Sequence, residues 1–267
     1  MTPVHYFWVG DSFTNVELLT FQSCRKHDHD PWVWTYGPIK NVPAFVTLKD
    51  ASSILDRSLF HRYLNDLKLP LANISDIFRY YLLHQVGGYY SDTDVVIVKN
   101  LDSIAFDEFF CSTHEYEWGQ CANGCFMKLK AGSPISQFLL DECTRRLAEM
   151  ESSPKDQIHY CHLGPFVVQE CARKMPVKVL PYDYINPIHW RWVRELIAFK
   201  KLDHKFYYKT KLRRYLPKIE KRGYHLTKNT YAVHLCNEMW KQNGIDKNDT
   251  FHRDSIFEKL KAAASSI

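Results

Sequence analysis

The run from residue 73 to 102, NISDIFRYYLLHQVGGYYSDTDVVIVKNLD, constrains the fold more than any other part of the chain. Ile77, Phe78, Tyr81 and Leu82 recur at helical spacing behind Ser75, a residue able to cap a helix. Gly87-Gly88 closes the pattern, because glycine enters the left-handed conformation of a helix C-terminus without strain. Tyr89, Tyr90 and the valines and isoleucine from 95 to 98 are strand-forming types. Between them stand Asp92 and Asp94. Along extended chain, residues two apart point the same way, so the spacing predicts that the two carboxylates share one hard cation. Asp76 and Arg79 are the only charged residues between 74 and 91. They lie three apart on neighbouring helical faces, in a run that otherwise reads as buried. Read blandly, D-x-D is a solvated loop end, and Asp76 with Arg79 a helix cap and local ion pair.

The rest of the first half alternates. Residues 4–9 read as strand, 16–27 as helix, 32–36 as strand, 50–66 as mostly helix, 73–84 as helix and 89–98 as extended. Such alternation predicts an α/β fold around a largely parallel central sheet. In sheets of that kind ligands bind at the carboxyl ends of strands, where both Trp8-Val9-Gly10 and Asp92-Thr93-Asp94 would lie. The sequence has neither a P-loop lysine motif nor a G-x-G-x-x-G fingerprint, so a metal bridge is the remaining route to phosphate. A chain of 267 residues, 45% hydrophobic, can bury a sizeable core and reads as one domain. Within it, 1–190 is expected to be the core, 191–225 a basic helical insertion and 226–267 a C-terminal segment closing the site. No apolar run approaches the roughly 18–20 residues that span a bilayer. Met1 leads almost directly into the strand-like VHYFWV without a signal peptide, so the expected location is cytoplasmic. Eight scattered cysteines without a C-x-x-C pair read as reduced thiols, and Cys121, Cys125 and Cys161-His162 make only a faint zinc pattern.

Ser75, Asp76, Arg79, Leu83, Gly87, Gly88, Tyr90, Asp92 and Asp94 together resemble the pattern S-D-x-x-R-(hydrophobic)-x-x-L-x-x-x-G-G-x-Y-x-D-x-D. That is the pattern of the DXD-containing sugar transferases of the GT-A fold, a Rossmann-like nucleotide-sugar-binding fold. The likeness is closest to glycosyltransferase family 32, with its α-1,4-galactosyltransferase-like and mannosyltransferase-like members, and the core is also similar to the large clostridial glucosylating toxins. PVHYFWVGDSF at the N-terminus, Asn123-Gly124-Cys125-Phe126, Leu163-Gly164-Pro165, LPYDYINPIHW and YAVHLCNEMW extend the resemblance over nearly the whole chain.

The resemblance implies a transferase (EC 2.4 class) that moves a hexose from a nucleotide sugar, with a lean toward UDP, to a glycan or lipid-linked acceptor in polysaccharide biosynthesis, and with retention of anomeric configuration. It implies Mn²⁺ (or Mg²⁺) held by Asp92, Asp94 and His234, the histidine favouring manganese. Asp92 also reaches the ribose. Trp8 and Val9 are implied at the nucleotide base, Asp76, Arg79, Tyr90 and Asn123 at the donor sugar and phosphates, and Asn237 and Trp240 on a loop over the diphosphate. Cys236 stands where the family has a tryptophan after His-Leu. Breaking a sugar–diphosphate bond leaves extra negative charge, which is why a Lewis-acid cation suits the reaction.

Two other classes compete. A D-x-D phosphohydrolase would need a downstream lysine motif and a G-D-x-x-x-D pair, and the latter is absent. A catalytically silent nucleotide-sugar-binding protein would lack turnover while keeping the pocket. Residues 191–222 hold 12 Lys or Arg against 3 acidic residues, a local charge of +9 in a chain of net charge +5. Aromatics such as Trp190, Trp192, Phe206 and Tyr215 interleave with these charges. This composition predicts peripheral contact with an anionic membrane on its cytoplasmic face, weighed against a helical face packing its apolar side on the domain; no nucleic acid is expected.

Overall fold

A computed structural model describes residues 1–115, 119–152, 161–197 and 226–265. Strands β1 (Thr2–Phe7), β2 (His29–Thr35), β3 (Thr47–Asp50) and β4 (Gly88–Ser91) are parallel neighbours. β7 (Gly119–Leu129) pairs antiparallel with β4 and with β6 (Phe109–Glu115), and the short β8 (Lys178–Val179) adds parallel to β6. The result is a largely parallel seven-stranded sheet of order β3-β2-β1-β4-β7-β6-β8, in which, among the described strands, only β7 runs against the rest. A two-stranded antiparallel ribbon joins β5 (Val95–Ile97) to β9 (Ala232–His234).

Helices cover both faces of the sheet. α1 (Asn15–Lys26) opens on a Thr14/Glu17 capping box and ends in Arg25 and Lys26, charges that suit its C-terminal dipole. α2 (Arg57–His61) is short, α3 (Leu71–Gln85) runs into the glycine break, and α4 (Pro134–Ser152) and α5 (Pro165–Lys174) follow. The chain finishes with α6 (Arg194–Ile197), α7 (Asn237–Gln242) and α8 (Ile256–Ser265). Period-two alternation along β1 feeds two cores. Tyr6 meets Phe21 of α1 edge-on at 5.1 Å, while Phe7 stacks on Phe78 of α3 at 4.2 Å. Burial of each such ring contributes about 1.5–3 kcal/mol. A third apolar cluster ties Val16 and Leu19 of α1 to Val96, Val233, Trp240 and Phe257, so the C-terminal segment docks against the first helix.

Several local expectations change. α3 begins at Leu71, before Ser75, because the Pro70 carbonyl accepts from the Asn73 and Ile74 N–H groups and no side-chain cap is needed. Ser75 lies within the first turns and meets the Tyr90 hydroxyl at 3.0 Å. The stretch 50–66 divides into a 3₁₀ turn, α2 and a π-helical turn at Arg62–Asp66. The extended segment at 89–98 is two strands in two sheets. The Asp92 N–H turns to the Cys125 carbonyl at 2.8 Å, the Val95 N–H to the Asp92 carbonyl at 3.3 Å, and the chain leaves the large sheet there. Residues 198–222 of the basic segment lie outside the described residues. Among the described residues, no helix is long and apolar enough to cross a membrane.

Candidate functional site

Parallel pairing of β1 with β4, in register His5↔Tyr90, brings the carboxyl ends of both strands together, so Trp8 and Asp92 open into the same cleft. The cleft measures about 990 Å³, at the upper end of the roughly 300–1,000 Å³ typical of small-molecule pockets. Trp8, Val9, Asp76, Arg79, Asp92, Asp94, Asn123, His234 and Asn237 all line it.

Asp92 and Asp94 converge because a turn folds between β4 and β5, and strand alternation is not the cause. The ribbon supplies the third group: Val95 faces His234 in register, and the Leu235 N–H bonds the Asp94 carbonyl at 2.8 Å. One ligand atom from each of Asp92, Asp94 and His234 lies within 4.8 Å of the others. His234 Nε2 stands 3.4 Å from Asp94 Oδ1, while its Nδ1 meets Asn186 Oδ1 at 2.9 Å. Since the Asn186 oxygen can only accept, Nδ1 carries a proton. Burial opposes a charge on the ring, but Cys236, Cys125 and Asp94 around it hold the imidazole well above its ordinary pKa, so Nε2 is protonated as well and donates toward Asp94, a proton that a cation would displace. Asn186 is itself fixed by donating to the Ser112 carbonyl at 3.0 Å. Asp94 Oδ2 accepts from the Asn237 N–H at 2.7 Å. Burial opposes ionisation of Asp94, but the neighbouring His234 and this N–H hold its carboxyl below the usual range. Asp92 goes the other way: burial pushes it up to about 8, with Arg79 opposing and the Asp94 charge adding.

Arg79 is 5% exposed and sits between two carboxylates, 3.1 Å from Asp76 Oδ1 and 2.8 Å from Asp92 Oδ1, with its guanidinium 4.9 Å from the Tyr90 ring. The pair therefore extends beyond a local ion pair and links α3 to the D-x-D turn. Burial lifts the Asp76 carboxyl to about 6, against the pull of Arg79. Two glycines make room for this cluster. A Cβ at Gly124 would come within 2.6 Å of an Arg79 terminal nitrogen, and one at Gly164 within 2.3 Å of Asp76 Oδ2, so neither position accepts a side chain without displacing the pair.

Two expected donor contacts sit elsewhere. Trp240 is fully buried against Phe251 and Phe257 and takes no part in the cleft wall, because a ring on the inner face of α7 closes the third core. Tyr90, 1% exposed, lies beneath Arg79 and outside the cleft lining. Asn123 does line the cleft, yet its side-chain oxygen is taken by the Cys125 N–H at 2.8 Å. Sequence reasoning missed Asn186 and the roles of Gly124 and Gly164. All three lie within stretches that carried the family resemblance, but only the three-dimensional contacts reveal what they do. Among the described residues, the buried polar atoms Trp8 Nε1, Arg79 Nε and Asn237 Oδ1 have no protein partner, and each belongs to a residue lining the cleft.

Residues 15–110 match the family described as "Glycosyltransferase sugar-binding region containing DXD motif". That stretch holds Asp76, Arg79, Asp92 and Asp94. Among solved structures, the chain is similar to the PaToxG glycosyltransferase, at 14% identity and a TM-score of 0.49 over 99% of this chain and 86% of that one. It is similar to the UDP-bound glycosyltransferase domain of the YGT toxin, at 10% identity and a TM-score of 0.49 over 99% of both chains. A third is the catalytic domain of alpha-toxin from Clostridium novyi, at 10% identity and a TM-score of 0.45 over 100% of this chain and 80% of that one. No curated protein matches the sequence at a significant level.

Proposed function

Taking the chain as a glycosyltransferase with a DXD sugar-binding region, we propose that it transfers a hexose from a nucleotide sugar, UDP-linked in first place, to a glycan or lipid-linked acceptor. We read the transfer as retaining and dependent on Mn²⁺ (or Mg²⁺) held by Asp92, Asp94 and His234. The observation that carries this reading is the approach of these three groups to within 4.8 Å at one end of the cleft. The donor set fits such an ion: two carboxylates supply hard oxygens, and an imidazole whose Nε2 is turned toward them can become a ligand once its proton is displaced, which favours manganese. Bound there, the cation would offset the charge that collects on the departing diphosphate.

The chain's own residues do the rest. The Asn237 N–H occupies Asp94 Oδ2 and leaves Oδ1 on the His234 side, and Asn186 fixes the His234 ring through Nδ1 so that Nε2 faces Oδ1. Arg79 ties Asp92 to α3, so the flexible end of a carboxylate is held before any ligand arrives. Trp8, which lines the cleft, offers an indole face to a nucleotide base. Asp76 and Arg79, which line the cleft beside Asp92, are assigned to the donor sugar and phosphates, since a carboxylate accepts from hydroxyls and a guanidinium balances phosphate oxygens.

The test is a panel of nucleotide sugars with Mn²⁺, scored by released nucleoside diphosphate and by thermal shift. Release from a UDP-hexose that stops with chelator supports the reading. Metal-independent release of inorganic phosphate would favour a phosphohydrolase, and binding without release a silent binding protein. For the acceptor side, the +9 charge of residues 191–222 supports contact with an anionic membrane. Equal sedimentation with anionic and neutral vesicles would dismiss that contact.

A further inference from the structure

Glu17 lies in the first turn of α1, where a capping-box glutamate ordinarily offers one oxygen to the helix start and the rest to water. Here the side chain is fully buried, and its two oxygens face different parts of the protein. Oε2 serves the cap, accepting from the Thr14 N–H at 2.8 Å and from the Thr14 hydroxyl. Oε1 accepts from Lys247 Nζ at 2.8 Å and from Asn237 Nδ2 at 3.3 Å. The backbone N–H of that same Asn237 holds Asp94 Oδ2 at 2.7 Å. Lys247 in turn stands 5.8 Å from the Trp8 ring. Next to this contact, Asn15 donates through its side chain to the Asn248 carbonyl at 3.1 Å and through its backbone to the Asn248 side chain at 3.2 Å. The first turn of α1 therefore grips the chain around 237 and 247–248, and one grip leads straight to a carboxylate of the candidate metal centre.

We propose that Glu17 is a positioning residue of the cation and nucleotide site: its Oε1 fixes Asn237 and Lys247, and through Asn237 it fixes the orientation of Asp94. The inference rests on the metal reading above. Glu17→Gln keeps size and shape but cannot serve both sides, because whichever partner set faces its NH₂ meets a donor where it needs an acceptor. Groups that orient metal ligands typically cost 10–100-fold in metal affinity when altered. Mn²⁺ binding by the purified full chain, read from the electron paramagnetic resonance of the free ion, should accordingly be about tenfold weaker in E17Q. The stabilisation by UDP with Mn²⁺ should shrink in parallel.

Thr14→Ala is the control. It removes the hydroxyl on the cap side only, so it should lower the melting temperature while leaving Mn²⁺ affinity within about twofold of the parent. Asn237→Ala should reproduce the E17Q loss, and the double variant should add little to it, the signature of two residues acting through one contact. Equal Mn²⁺ affinity in E17Q and parent, or an equal loss in T14A, would reduce Glu17 to a helix cap and overturn the proposal. A parent chain that binds no Mn²⁺ at all would overturn the metal reading, and this inference with it.

Discussion

The two walls of the cleft are built by opposite means. One wall, with Asp76, Arg79 and Asp92, is assembled from near neighbours: Arg79 reaches Asp92 across 13 positions of sequence, within one helix-turn-strand passage. The other, with His234 and Asn237, is delivered from afar, Asn237 meeting Asp94 across 143 positions. The near wall is pre-formed by local chemistry and by α3 packing. The far wall depends on a three-residue ribbon and on the docking of the C-terminal segment against α1. Local construction makes a motif readable; distant construction makes it dependent on the whole fold.

Asp94 belongs to both walls, and its loss should be the largest effect. Asp94→Ala should abolish metal-dependent donor turnover and the added thermal stability from UDP with Mn²⁺, while circular dichroism stays that of the parent. Turnover at parental level in chelator would break the comparison at its root. Next in size is the far wall alone. Asn186→Ala frees His234 to change tautomer and should weaken Mn²⁺ binding by about 10–100-fold, measurable by calorimetry; unchanged affinity would mean the histidine is oriented by packing. At the end of β1, apart from both walls, Trp8→Ala should weaken a uridine nucleotide by about 1–3 kcal/mol, the scale of base–aromatic stacking, with Mn²⁺ affinity in the absence of nucleotide little altered.

A smaller, graded effect should appear with pH. Burial pushes Asp92 up to about 8, so near neutrality its carboxyl keeps a proton that a cation must displace. Mn²⁺ affinity should therefore rise with pH, by up to about tenfold per unit for the Asp92 proton below about 8, and the proton on His234, held well above its ordinary pKa by Cys236, Cys125 and Asp94, should steepen that rise. A flat profile down to about pH 5 would mean that Arg79 outweighs burial and already holds Asp92 ionised.

Legibility follows the same division. The helix, the glycine break, Asp76 with Arg79 and the D-x-D pair were readable because each rests on local periodicity or spacing. Asp92 and Asp94 converge through a turn where their spacing predicts extended chain: both can bring alternate residues together, and composition does not separate them. Trp240 illustrates a different limit. A tryptophan on a short C-terminal helix suits a ligand wall or a core equally well, and the decision came from Phe251 and Phe257, which no local pattern connects to it. Asn186 was out of reach for the same reason, since its partner His234 lies 48 positions away. Glu17 offered a readable signal, the Thr14-x-x-Glu17 box, but that signal points only to a helix start.

The D-x-D turn is also a joint. At Ser91 the chain leaves the seven-stranded sheet, and at Val95 it enters the ribbon with β9, so Asp92 hangs from one sheet and Asp94 from the other. An ion gripped by both would act as a rivet between two separately hydrogen-bonded bodies. Occupancy would then be felt mechanically as well as chemically, since any sliding of the ribbon against the large sheet must first stretch the coordination. At a hundredfold excess over its dissociation constant, such a rivet would add about 2.7 kcal/mol to the folded state. The cell's supply of the ion would thereby set how firmly β9 and α7 are fastened.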